Sequence, residues 1–369
     1  MTANARLLMA VTRTGGHTVP ALAVAEAIRR RHPGIEIRFA GTAEGVESRL
    51  VPNSNFALEA IPVIGLQRSL NADLLRFPGM LLKGMVRSLA LVWRYNPQLV
   101  FCTGGYVSGP VGLSARVLGI PLVLHEQNDY PGVTIRALSR LATQVFLAFK
   151  GAGRRIGGRR RCVVGNPTRG GWTEMDRTEA RQRFGLDGDR PTLVVVGGSQ
   201  GARGINGAVE SALPTLVERG FQVLWQTGRL DHAAAAAAAA RWPERVMALE
   251  FIDDMNAAYR AADLALTRSG AMTLAELTLM GVPAVLVPLP TATEGHQEHN
   301  ARAMERAGAG CMIRQRDLDG ASLSKLVSDL VSDPARLAEM ADKSRAQAVP
   351  DAADRIVDEM ERVGLLKQS

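Results

Sequence analysis

The sequence predicts an α/β protein built from two doubly wound domains, each with a parallel sheet. Short apolar runs bounded by glycine or proline alternate with longer helical patterns, which is typical of βαβ units. This alternation occurs twice in succession along 369 residues, a length that suits two domains. In both halves an apolar strand also enters a glycine-rich turn that opens a helix. Such a turn brings backbone N–H groups and a positive dipole end close to anions.

The predicted strands form two sets, one in each half of the chain. The first set is residues 7–11, 36–40, 99–102, 122–124 and 145–148; the second is residues 192–196, 222–225, 246–249, 264–267 and 284–287. Strands separated by helices in this way imply parallel sheets. Ligands of such sheets bind at the carboxyl ends of the strands, and the glycine-rich turns lie there.

The domain boundary is expected near Gly165-Asn166-Pro167. Residues 1–165 would form the N-terminal domain, and residues 166–349 would form the C-terminal domain. The tail at 351–366 has a helical pattern after Val349-Pro350, so about 350–369 is expected to fold back across the first domain.

The composition limits the class of partner. A net charge of +8 and a pI near 9.9 favour anionic partners, although an ordinary solvated basic surface gives the same balance. Only 5% of residues are aromatic, which argues against nucleic acid held on stacking platforms. Three widely spaced cysteines form neither a disulfide framework nor a metal cluster. No apolar stretch is long enough to span a bilayer.

The first glycine-rich turn is a candidate catalytic site. Thr14, Gly15 and Gly16 follow the first strand, and His17 stands at the mouth of the turn. A neutral imidazole accepts a proton near physiological pH, so His17 is a candidate general base. The structural alternative is a histidine that caps the helix predicted from about Ala21. Arg13 is an alternative ligand for an anion.

Two further clusters follow strands of the first domain. The glycine-rich segment 103–110 leads into a helix predicted to start near Pro110, and it is either a ligand edge or a tight strand–helix turn. His125-Glu126-Gln127-Asn128 follows the strand at 122–124. These side chains are suited to sugar hydroxyls or to assisting a base, and a local loop network is the alternative.

The second domain carries the stronger candidate for an anion site. The segment Gly197–Arg203 lacks the lysine of a P-loop and the spacing of a dinucleotide fingerprint, so neither chemistry is favoured. The strand at 264–267 enters Arg268-Ser269-Gly270, where bare N–H groups would bind a diphosphate. Glu276 would accept hydrogen bonds from a ribose diol, and the structural alternative is a capping box of Thr273 with Glu276.

A polar stretch after the last predicted strand completes the candidate sites. Gln297 and Asn300 are suited to sugar hydroxyls. His296 and His299 lack a third ligand at metal-site spacing, and no Asp-x-Asp pair lies on a promising loop, so no obligatory metal is predicted.

Taken together and in this order, these segments resemble the MurG family of bacterial cell-wall glycosyltransferases. The resemblance is carried by Thr14–His17, Gly104–Pro110, His125–Asn128, Gly165–Pro167, Gly197–Arg203, Phe251–Met255, Ser269–Thr273, and His296-Gln297 with Asn300-Ala301. It implies a GT-B fold, in which two Rossmann-like domains flank a deep cleft. It also implies inverting transfer of N-acetylglucosamine from UDP-GlcNAc to lipid I, the undecaprenyl-diphosphate-linked muramyl pentapeptide. Peptidoglycan synthesis, and through it cell shape and division, would depend on the product, lipid II.

The resemblance also implies roles for particular residues. The catalytic residues would be His17 and Glu126, either of which could take the proton, with Tyr106 and Arg13 on the acceptor side. The residues implied in donor binding are Thr14, Gly15, Gly16, Asn128, Arg169, Ser199, Ile252, Ala271, Met272, Thr273, Leu274, Ala275, Glu276 and Gln297. The family usually has two glycines where this chain has Thr12-Arg13, so Arg13 would supply charge where bare backbone lies in relatives.

A lipid-linked acceptor implies a membrane surface. Residues 74–93 combine apolar side chains with interleaved arginine and lysine, which favours an interfacial segment on anionic phospholipid; a helix buried in the first domain is the alternative. The protein is expected to be peripheral, on the cytoplasmic face of the plasma membrane, near other cell-wall synthesis proteins. Alternative functions are a UDP-GlcNAc epimerase or a glycolipid synthase of the same fold, or a non-enzymatic nucleotide-binding module.

Overall fold

The computed structural model describes residues 5–63, 72–157, 160–172, 175–198 and 200–366, and between 72 and 78 it describes the backbone only. The chain divides into two compact units. Unit 1 comprises residues 1–170 and 349–369, and unit 2 comprises residues 171–348. The sequence placed the two boundaries at 165/166 and 349/350.

Unit 1 contains a seven-stranded sheet in which every pairing is parallel. Its strands are β1 (Arg6–Ala10), β2 (Glu36–Gly41), β3 (Ala57–Ala60), β4 (Leu99–Cys102), β5 (Leu122–Glu126), β6 (Gln144–Leu147) and β7 (Arg161–Val163). Its first helices are α1 (Gly15–Arg31), α2 (Glu47–Asn53), α3 (Ala72–Tyr95), α4 (Gly105–Val117) and α5 (Val133–Ser139), and Lys150–Arg154 forms a 3-10 turn. The strand order is β3-β2-β1-β4-β5-β6-β7.

Unit 2 contains a six-stranded sheet, also parallel throughout. Its strands are β8 (Thr192–Val196), β9 (Gln222–Gln226), β10 (Val246–Leu249), β11 (Leu264–Thr267), β12 (Ala284–Leu286) and β13 (Gly310–Met312). Its helices are α6 (Arg177–Gln182), α7 (Arg203–Glu218), α8 (His232–Ala239), α9 (Met255–Ala261), α10 (Ala271–Met280), α11 (His296–Arg306), α12 (Gly320–Val331) and α13 (Pro334–Arg345), with 3-10 turns at Thr293–Gly295 and Gln315–Asp317. The order β10-β9-β8-β11-β12-β13 repeats the switch point of unit 1.

The sheet of unit 1 is covered on both faces. Successive side chains of β1 alternate between the faces, so Leu7 and Met9 pack into one core cluster while Leu8 and Ala10 pack into the other. Parallel sheets need this double cover because both of their faces are apolar. The predicted doubly wound architecture is confirmed.

The C-terminal helix α14 (Ala352–Arg362) belongs to unit 1 and packs against α1. Ile356, Val357 and Met360 are fully buried in the same core cluster as the face of α1. At the edge of this contact, His32 Nε2 lies 2.8 Å from a carboxylate oxygen of Glu361. The chain therefore returns from unit 2 to unit 1, where α14 is packed into the core.

Two helices begin earlier in the chain than the sequence predicts. α1 starts at Gly15 and not at Ala21, and α4 starts at Gly105 and not at Pro110. The glycines were interpreted as turn residues, but their N–H groups form the first helical turn. His17 and Tyr106 are consequently held on helices.

α3 is amphipathic in the part whose side chains are described. Leu91, Val92 and Tyr95 are buried in the core, whereas Leu82 and Trp93 are exposed to 66% and 71%. One face of α3 is packed in the domain, as the structural alternative expects, and the other face exposes apolar side chains. Contact of that face with anionic phospholipid stays a prediction. The part of the prediction that falls on the side chains of residues 74–78 lies outside the described residues. In the described part of the chain, no helix is both long and apolar enough to cross a bilayer.

Candidate active site

The polar groups of unit 1 gather where neighbouring strands end. β1, β4 and β5 lie side by side, and their carboxyl ends lead into α1, α4 and the segment from His125 to Asn128. Parallel strands end at the same edge of a sheet, and the sequence predicted ligand binding at this edge. Several of their side chains are in direct contact.

A chain of hydrogen bonds runs from His17 into the body of unit 1. His17 Nδ1 lies 3.1 Å from Gln127 Oε1, and Gln127 Nε2 lies 3.0 Å from His125 Nδ1. His125 Nε2 lies 3.0 Å from the backbone oxygen of Gly165. Gln127 and His125 are almost fully buried, whereas His17 is half-buried at the mouth.

These hydrogen bonds assign the tautomer of each histidine ring. The amide nitrogen of Gln127 also donates to the backbone oxygen of His125, at 3.0 Å, so the amide oxygen faces His17. An oxygen can only accept, and His17 must therefore carry its proton on Nδ1. The accepting position of the His17 ring is then Nε2. His125 accepts at Nδ1 and donates from Nε2 to Gly165.

The surroundings keep the inner ring neutral and hold the outer ring in place. Burial lowers the pKa of His125 to about 4; the hydrogen bond to Gly165 opposes this shift, and the nearby His17 adds to it by a smaller amount. A protonated His125 would have no accepting nitrogen, so the hydrogen bond from Gln127 to its Nδ1 would be lost. Gly104 has φ +97°, and a Cβ there would lie 3.3 Å from Cε1 of His17. Glycine at 104 therefore meets both a backbone requirement and a packing requirement.

The carboxylate of Glu126 is occupied by its own loop. Oε1 accepts from the backbone and side-chain amides of Asn128, at 2.9 and 3.1 Å, and Oε2 accepts from the N–H of Gly132 at 2.9 Å. Glu126 is 2% exposed, and burial raises its pKa although these bonds oppose the shift. Its contacts match the structural alternative of a loop network.

The other predicted residues of unit 1 lie nearby on the chain or on its surface. Tyr106, in the first turn of α4, is 45% exposed. Arg13 and Thr14 are exposed between β1 and α1, with Gly15 and Gly16 in the first turn of α1. Arg169 is exposed in the last residues of unit 1 before the division.

In unit 2, α10 begins without a side-chain cap. Its N-cap is Gly270, in extended conformation (φ −66°, ψ 141°), and its first turn contains no acidic residue. The alternative of a Thr273–Glu276 capping box is wrong, because Thr273 lies inside the first turn and not at the N-cap. The first N–H groups of a helix have no intrahelical acceptor. The N-terminus of α10, which includes Met272 and Thr273, therefore directs donors out of the strand edge.

The turn before α10 is braced from the segment that begins α11. Ser269 Oγ donates to the backbone oxygen of Gln297 at 2.8 Å, and Asn300 Nδ2 donates to the oxygen of Ser269 at 3.2 Å. Asn300 is fully buried, so it positions the turn and does not face a sugar. Gln297 Oε1 accepts from the N–H of Leu289 at 3.0 Å.

Glu276 is held by a buried phenol. Burial raises the pKa of Glu276 to about 7, and a hydrogen bond from Tyr259 acts in the opposite direction. Tyr259, on α9, is 1% exposed, and its ring stacks on Trp172 with centroids 6.3 Å apart. Glu276 therefore changes charge near neutral pH in a fixed orientation.

The remaining predicted donor residues are distributed around this edge. Ile252 is buried, and its N–H donates to Gln226 Oε1 at 3.0 Å. Leu274 is buried in α10, whereas Ala271 is mostly buried and Ala275 is half-buried. Ser199 lies outside the described residues. In the described ranges, no cluster of three or more His, Cys, Asp or Glu is arranged to hold a metal ion.

Sequence reasoning missed the roles of two buried residues. It treated Gln127 as one of four polar residues, although Gln127 links two histidines, and it gave Tyr259 no role. A signal was present for Gln127, since a glutamine between a strand-end histidine and a loop is able to bridge two rings. The contact between Tyr259 and Glu276 joins two helices and leaves no local pattern.

Comparison with protein families matches both halves of the chain. Residues 7–147 match the glycosyltransferase family 28 N-terminal domain, and residues 192–356 match the glycosyltransferase family 28 C-terminal domain. The first match ends with β6 and so excludes β7 of unit 1, whereas the second spans all six strands of unit 2.

Individual relatives cover nearly the whole chain. A protein of Salinibacter ruber named UDP-N-acetylglucosamine–N-acetylmuramyl-(pentapeptide) pyrophosphoryl-undecaprenol N-acetylglucosamine transferase is 43% identical over 95% of this chain and 94% of its own length. The crystal structure of Acinetobacter baumannii MurG is 32% identical, covers 97% of this chain and 99% of its own, and superimposes with a TM-score of 0.79. A Listeria monocytogenes structure described as a putative UDP-N-acetylglucosamine 2-epimerase has a TM-score of 0.69 at 15% identity, which is a likeness of fold alone.

Proposed function

The chain belongs to glycosyltransferase family 28, and from that premise we propose how its residues carry out a sugar transfer. The protein is a GT-B hexosyltransferase that uses UDP-N-acetylglucosamine as donor. It moves N-acetylglucosamine to lipid I and so forms lipid II for peptidoglycan. The assignment of residues to steps, the side of the membrane and the contact with phospholipid are our proposals.

We propose that His17 is the general base. The observation that carries this assignment is the hydrogen bond from His17 Nδ1 to Gln127, because it leaves Nε2 as the accepting nitrogen. The muramyl hydroxyl oxygen attacks the anomeric carbon of the donor while its proton passes to Nε2. The bond between that carbon and the diphosphate oxygen breaks, and UDP departs with the electron pair. A single displacement of this kind inverts the anomeric centre.

Glu126 is assigned to positioning and not to proton transfer. Its two oxygens accept hydrogen bonds from Asn128 and Gly132, so a proton taken there would break contacts that hold the loop. The same loop carries Gln127, which orients His17. Glu126 therefore positions the loop whose Gln127 orients the base. Its carboxylate also orients Asn128, which we assign to the sugar.

The donor is assigned to the edge of unit 2. The uncapped N-terminus of α10 supplies N–H groups and a positive dipole end to the diphosphate, where negative charge develops as UDP leaves. The Glu276 carboxylate accepts hydrogen bonds from the ribose diol, and the carbonyl of Ile252 meets the base. Gln297, Ser199 and Arg169 are assigned to the donor on the resemblance alone.

The acceptor side is assigned to Tyr106 and Arg13, and the membrane contact to α3. Leu82, Val86 and Trp93 form an exposed apolar stripe along α3, while Lys83 and Arg87 stand exposed beside it. An apolar stripe flanked by lysine and arginine is suited to the interface of an anionic membrane. We therefore propose peripheral attachment to the cytoplasmic face.

A transfer assay tests the function. Purified protein is mixed with UDP-N-acetylglucosamine and a lipid I analogue, and both UDP release and the disaccharide product are measured. UDP release that requires both substrates supports transfer. Formation of a 2-epimer without acceptor would instead indicate an epimerase, and UDP binding without turnover would indicate a binding module.

A vesicle assay tests the membrane contact. Binding to vesicles of phosphatidylglycerol and phosphatidylcholine is compared for the parent, Trp93→Ser and Leu230→Ser. Leu230 is a matched control, since it is an equally exposed apolar residue of unit 2. Loss of binding in Trp93→Ser alone supports the assignment. Equal binding by all three proteins, or no binding to anionic vesicles at low salt, would reject it.

A further inference from the structure

Arg268 carries a charge that its hydrogen-bond partners do not neutralise. It follows β11 and stands two residues before Gly270, the N-cap of α10. Its Nη1 donates to the backbone oxygens of Val287 and Pro288 at 3.2 and 3.3 Å, and its Nη2 donates to Gln315 Oε1 at 2.6 Å. All of these acceptors are neutral. An arginine stays protonated in a protein, so Arg268 keeps its full positive charge.

The lack of an acidic partner distinguishes Arg268 from another buried arginine of unit 2. Arg181 is 4% exposed and forms an ion pair with Asp263 at 2.7 Å. Arg268 is half-buried, and burial lowers its pKa; in the part of the chain that the structure describes, no carboxylate forms an ion pair with it. A buried charge is usually paired, because its removal from water is costly. An anionic ligand at the same edge would supply the missing negative charge.

The start of α10 places a positive dipole end close to this cation along the chain. The helix has no side-chain cap, and its first turn contains no acidic residue. The free N–H groups of the helix and the guanidinium of Arg268 therefore both favour negative charge at this edge of the sheet. A cation that is already fixed needs no rearrangement when negative charge develops on a ligand.

Gln315 is itself fixed by packing against another turn of unit 2. It begins the 3-10 turn that follows β13, and its side chain lies against Gly204 in the first turn of α7. A Cβ on Gly204 would lie 2.5 Å from Cδ of Gln315 and 2.8 Å from its Nε2. Glycine at 204 therefore makes room for the amide. Gln315 connects the starts of two helices, α7 through Gly204 and α10 through Arg268.

These contacts allow two roles for the pair of Arg268 and Gln315. A brace would need only the hydrogen bonds, which tie the segment after β12 and the turn after β13 to the start of α10. A source of charge would also need the guanidinium to stay without a counter-charge. A carboxylate at position 315 would bind the guanidinium more strongly and would cancel its charge. An amide accepts the bond and leaves the charge in place, which favours the second role.

We propose that Gln315 is a positioning residue that holds the Arg268 guanidinium behind the start of α10 without neutralising it, so that the charge of Arg268 stabilises the donor diphosphate. Negative charge on the diphosphate increases as UDP departs, and a fixed positive charge lowers the cost of that change. This inference rests on the proposed function, because it needs the diphosphate of a nucleotide sugar at the edge of unit 2.

The first experiment changes the partner of Arg268. Gln315→Glu keeps an acceptor and adds a negative charge, whereas Gln315→Leu removes the acceptor and adds no charge. We expect UDP to bind about tenfold or more weakly to Gln315→Glu, because the new carboxylate cancels the attraction of the guanidinium. Gln315→Leu should lose only about two- to threefold, because the guanidinium is held less well but keeps its charge. Calorimetric titration with UDP measures both affinities.

The second experiment varies the charge of the ligand. Uridine, UMP and UDP are titrated by NMR into the parent, Gln315→Glu and Gln182→Glu. Gln182 is exposed at the end of α6, so Gln182→Glu is a control with the same change in net charge. We expect the loss of affinity in Gln315→Glu to be greatest for UDP, smaller for UMP and absent for uridine, which has no charge. A distortion of the fold would weaken all three ligands by a similar factor.

The third experiment asks whether Gln315 acts through Arg268. Arg268→Gln removes the charge, and Arg268→Lys keeps it; the lysine variant should lie nearer to the parent in UDP affinity and in kcat. Gln315→Leu is then combined with Arg268→Gln in a double-mutant cycle, and we expect it to cause no further loss of UDP affinity there. If Gln315→Glu does not fold, Arg268→Gln replaces it in the ligand series.

Three results would overturn the proposal. They are a UDP affinity of Gln315→Glu equal to that of the parent, equal losses for uridine and UDP, and a larger loss in Gln315→Leu than in Gln315→Glu. The last result would make the pair a brace. A parent protein that binds UDP and transfers sugar while Gln315→Glu behaves like it rejects this inference alone. A parent that neither binds UDP nor transfers sugar rejects the proposed function.

Discussion

The carboxyl edges of the two sheets are built from similar elements, but their polar groups are arranged differently. In unit 1 the polar side chains bind one another: His17, Gln127 and His125 form a chain, and Glu126 is saturated by its loop. In unit 2 the start of α10 has no side-chain cap, and the carboxyl group of Glu276 accepts a hydrogen bond from the phenol of Tyr259. A group that must deliver a proton in one direction needs fixed partners, whereas a group that must bind a ligand needs donors and acceptors directed at that ligand.

Replacing His17 by alanine should have the largest effect on kcat. It would also show most clearly that the edge of unit 1 serves catalysis and the edge of unit 2 serves donor binding. We expect kcat to fall about 10²- to 10⁴-fold, because a positioned general base contributes that much. UDP affinity should not change, because the groups proposed for the diphosphate, the ribose and the base, which are the start of α10, Glu276 and Ile252, lie in unit 2. Single-turnover transfer and calorimetric titration with UDP measure the two quantities, with His232→Ala, a histidine bonded to Thr227, as the control. A parallel loss of UDP affinity would break the comparison.

Glu276→Gln should affect binding and not chemistry. An amide cannot accept both hydrogens of a ribose diol with the strength of a carboxylate, so UDP should bind about 10- to 100-fold more weakly. The control is Glu298→Gln, whose carboxylate is held on the surface by Arg302 and Arg314. Calorimetry with UDP checks the difference, and equal affinity of Glu276→Gln and the parent would remove Glu276 from the site.

Tyr259→Phe should shift a pH profile. The pKa of Glu276 is raised to about 7 by burial, so the carboxylate that accepts the ribose forms, and donor affinity increases, as the pH rises through that value. The phenol opposes the raised pKa, so its removal should move the pKa higher and the midpoint of UDP binding toward alkaline pH. Titrations of the parent, Tyr259→Phe and the remote Tyr130→Phe measure the midpoints. An unmoved midpoint in Tyr259→Phe would reduce Tyr259 to a packing residue.

Glu126→Gln should have the smallest effect on the reaction. An amide cannot accept both sets of hydrogen bonds, so the free energy of unfolding should fall by about 1–3 kcal/mol. The kcat of the folded variant should stay within a few-fold of the parent, since His17 remains in place. Chemical denaturation and steady-state kinetics check the two quantities. A kcat as low as that of His17→Ala would transfer the role of base to Glu126.

The regular part of the fold follows from short-range patterns. The strands at 99–102, 192–196 and 264–267 have the predicted bounds, because each is a buried, mainly apolar run closed by a polar or glycine residue. The half-buried edge strand at 246–249 also has the predicted bounds. β3, β7 and β13 were missed, since they are edge strands of three or four residues with exposed or half-buried side chains. A strand that is not buried on both faces carries a weak apolar signal.

The site was predictable as a set of residues but not as a network. Glycine-rich turns after strands identified the neighbourhood of His17 and of Gly270. The sequence does not encode that Gln127 lies between His125 and His17, which is 110 positions away, or that Tyr259 contacts Glu276. These contacts join elements that become neighbours only when the sheet forms, and only three-dimensional packing determines them.

The far end of the histidine chain has a consequence for how this protein can evolve. Gly165 has φ +84°, a Cβ there would lie 2.6 Å from Val349, and its oxygen accepts the bond from His125. Position 165 therefore has three constraints: a positive φ, no room for a side chain beside Val349, and a carbonyl that fixes the tautomer of His125. A saturation library at 165 should contain no variant that loses turnover while keeping native thermostability, because any side chain would disturb the packing at Val349 together with the imidazole relay.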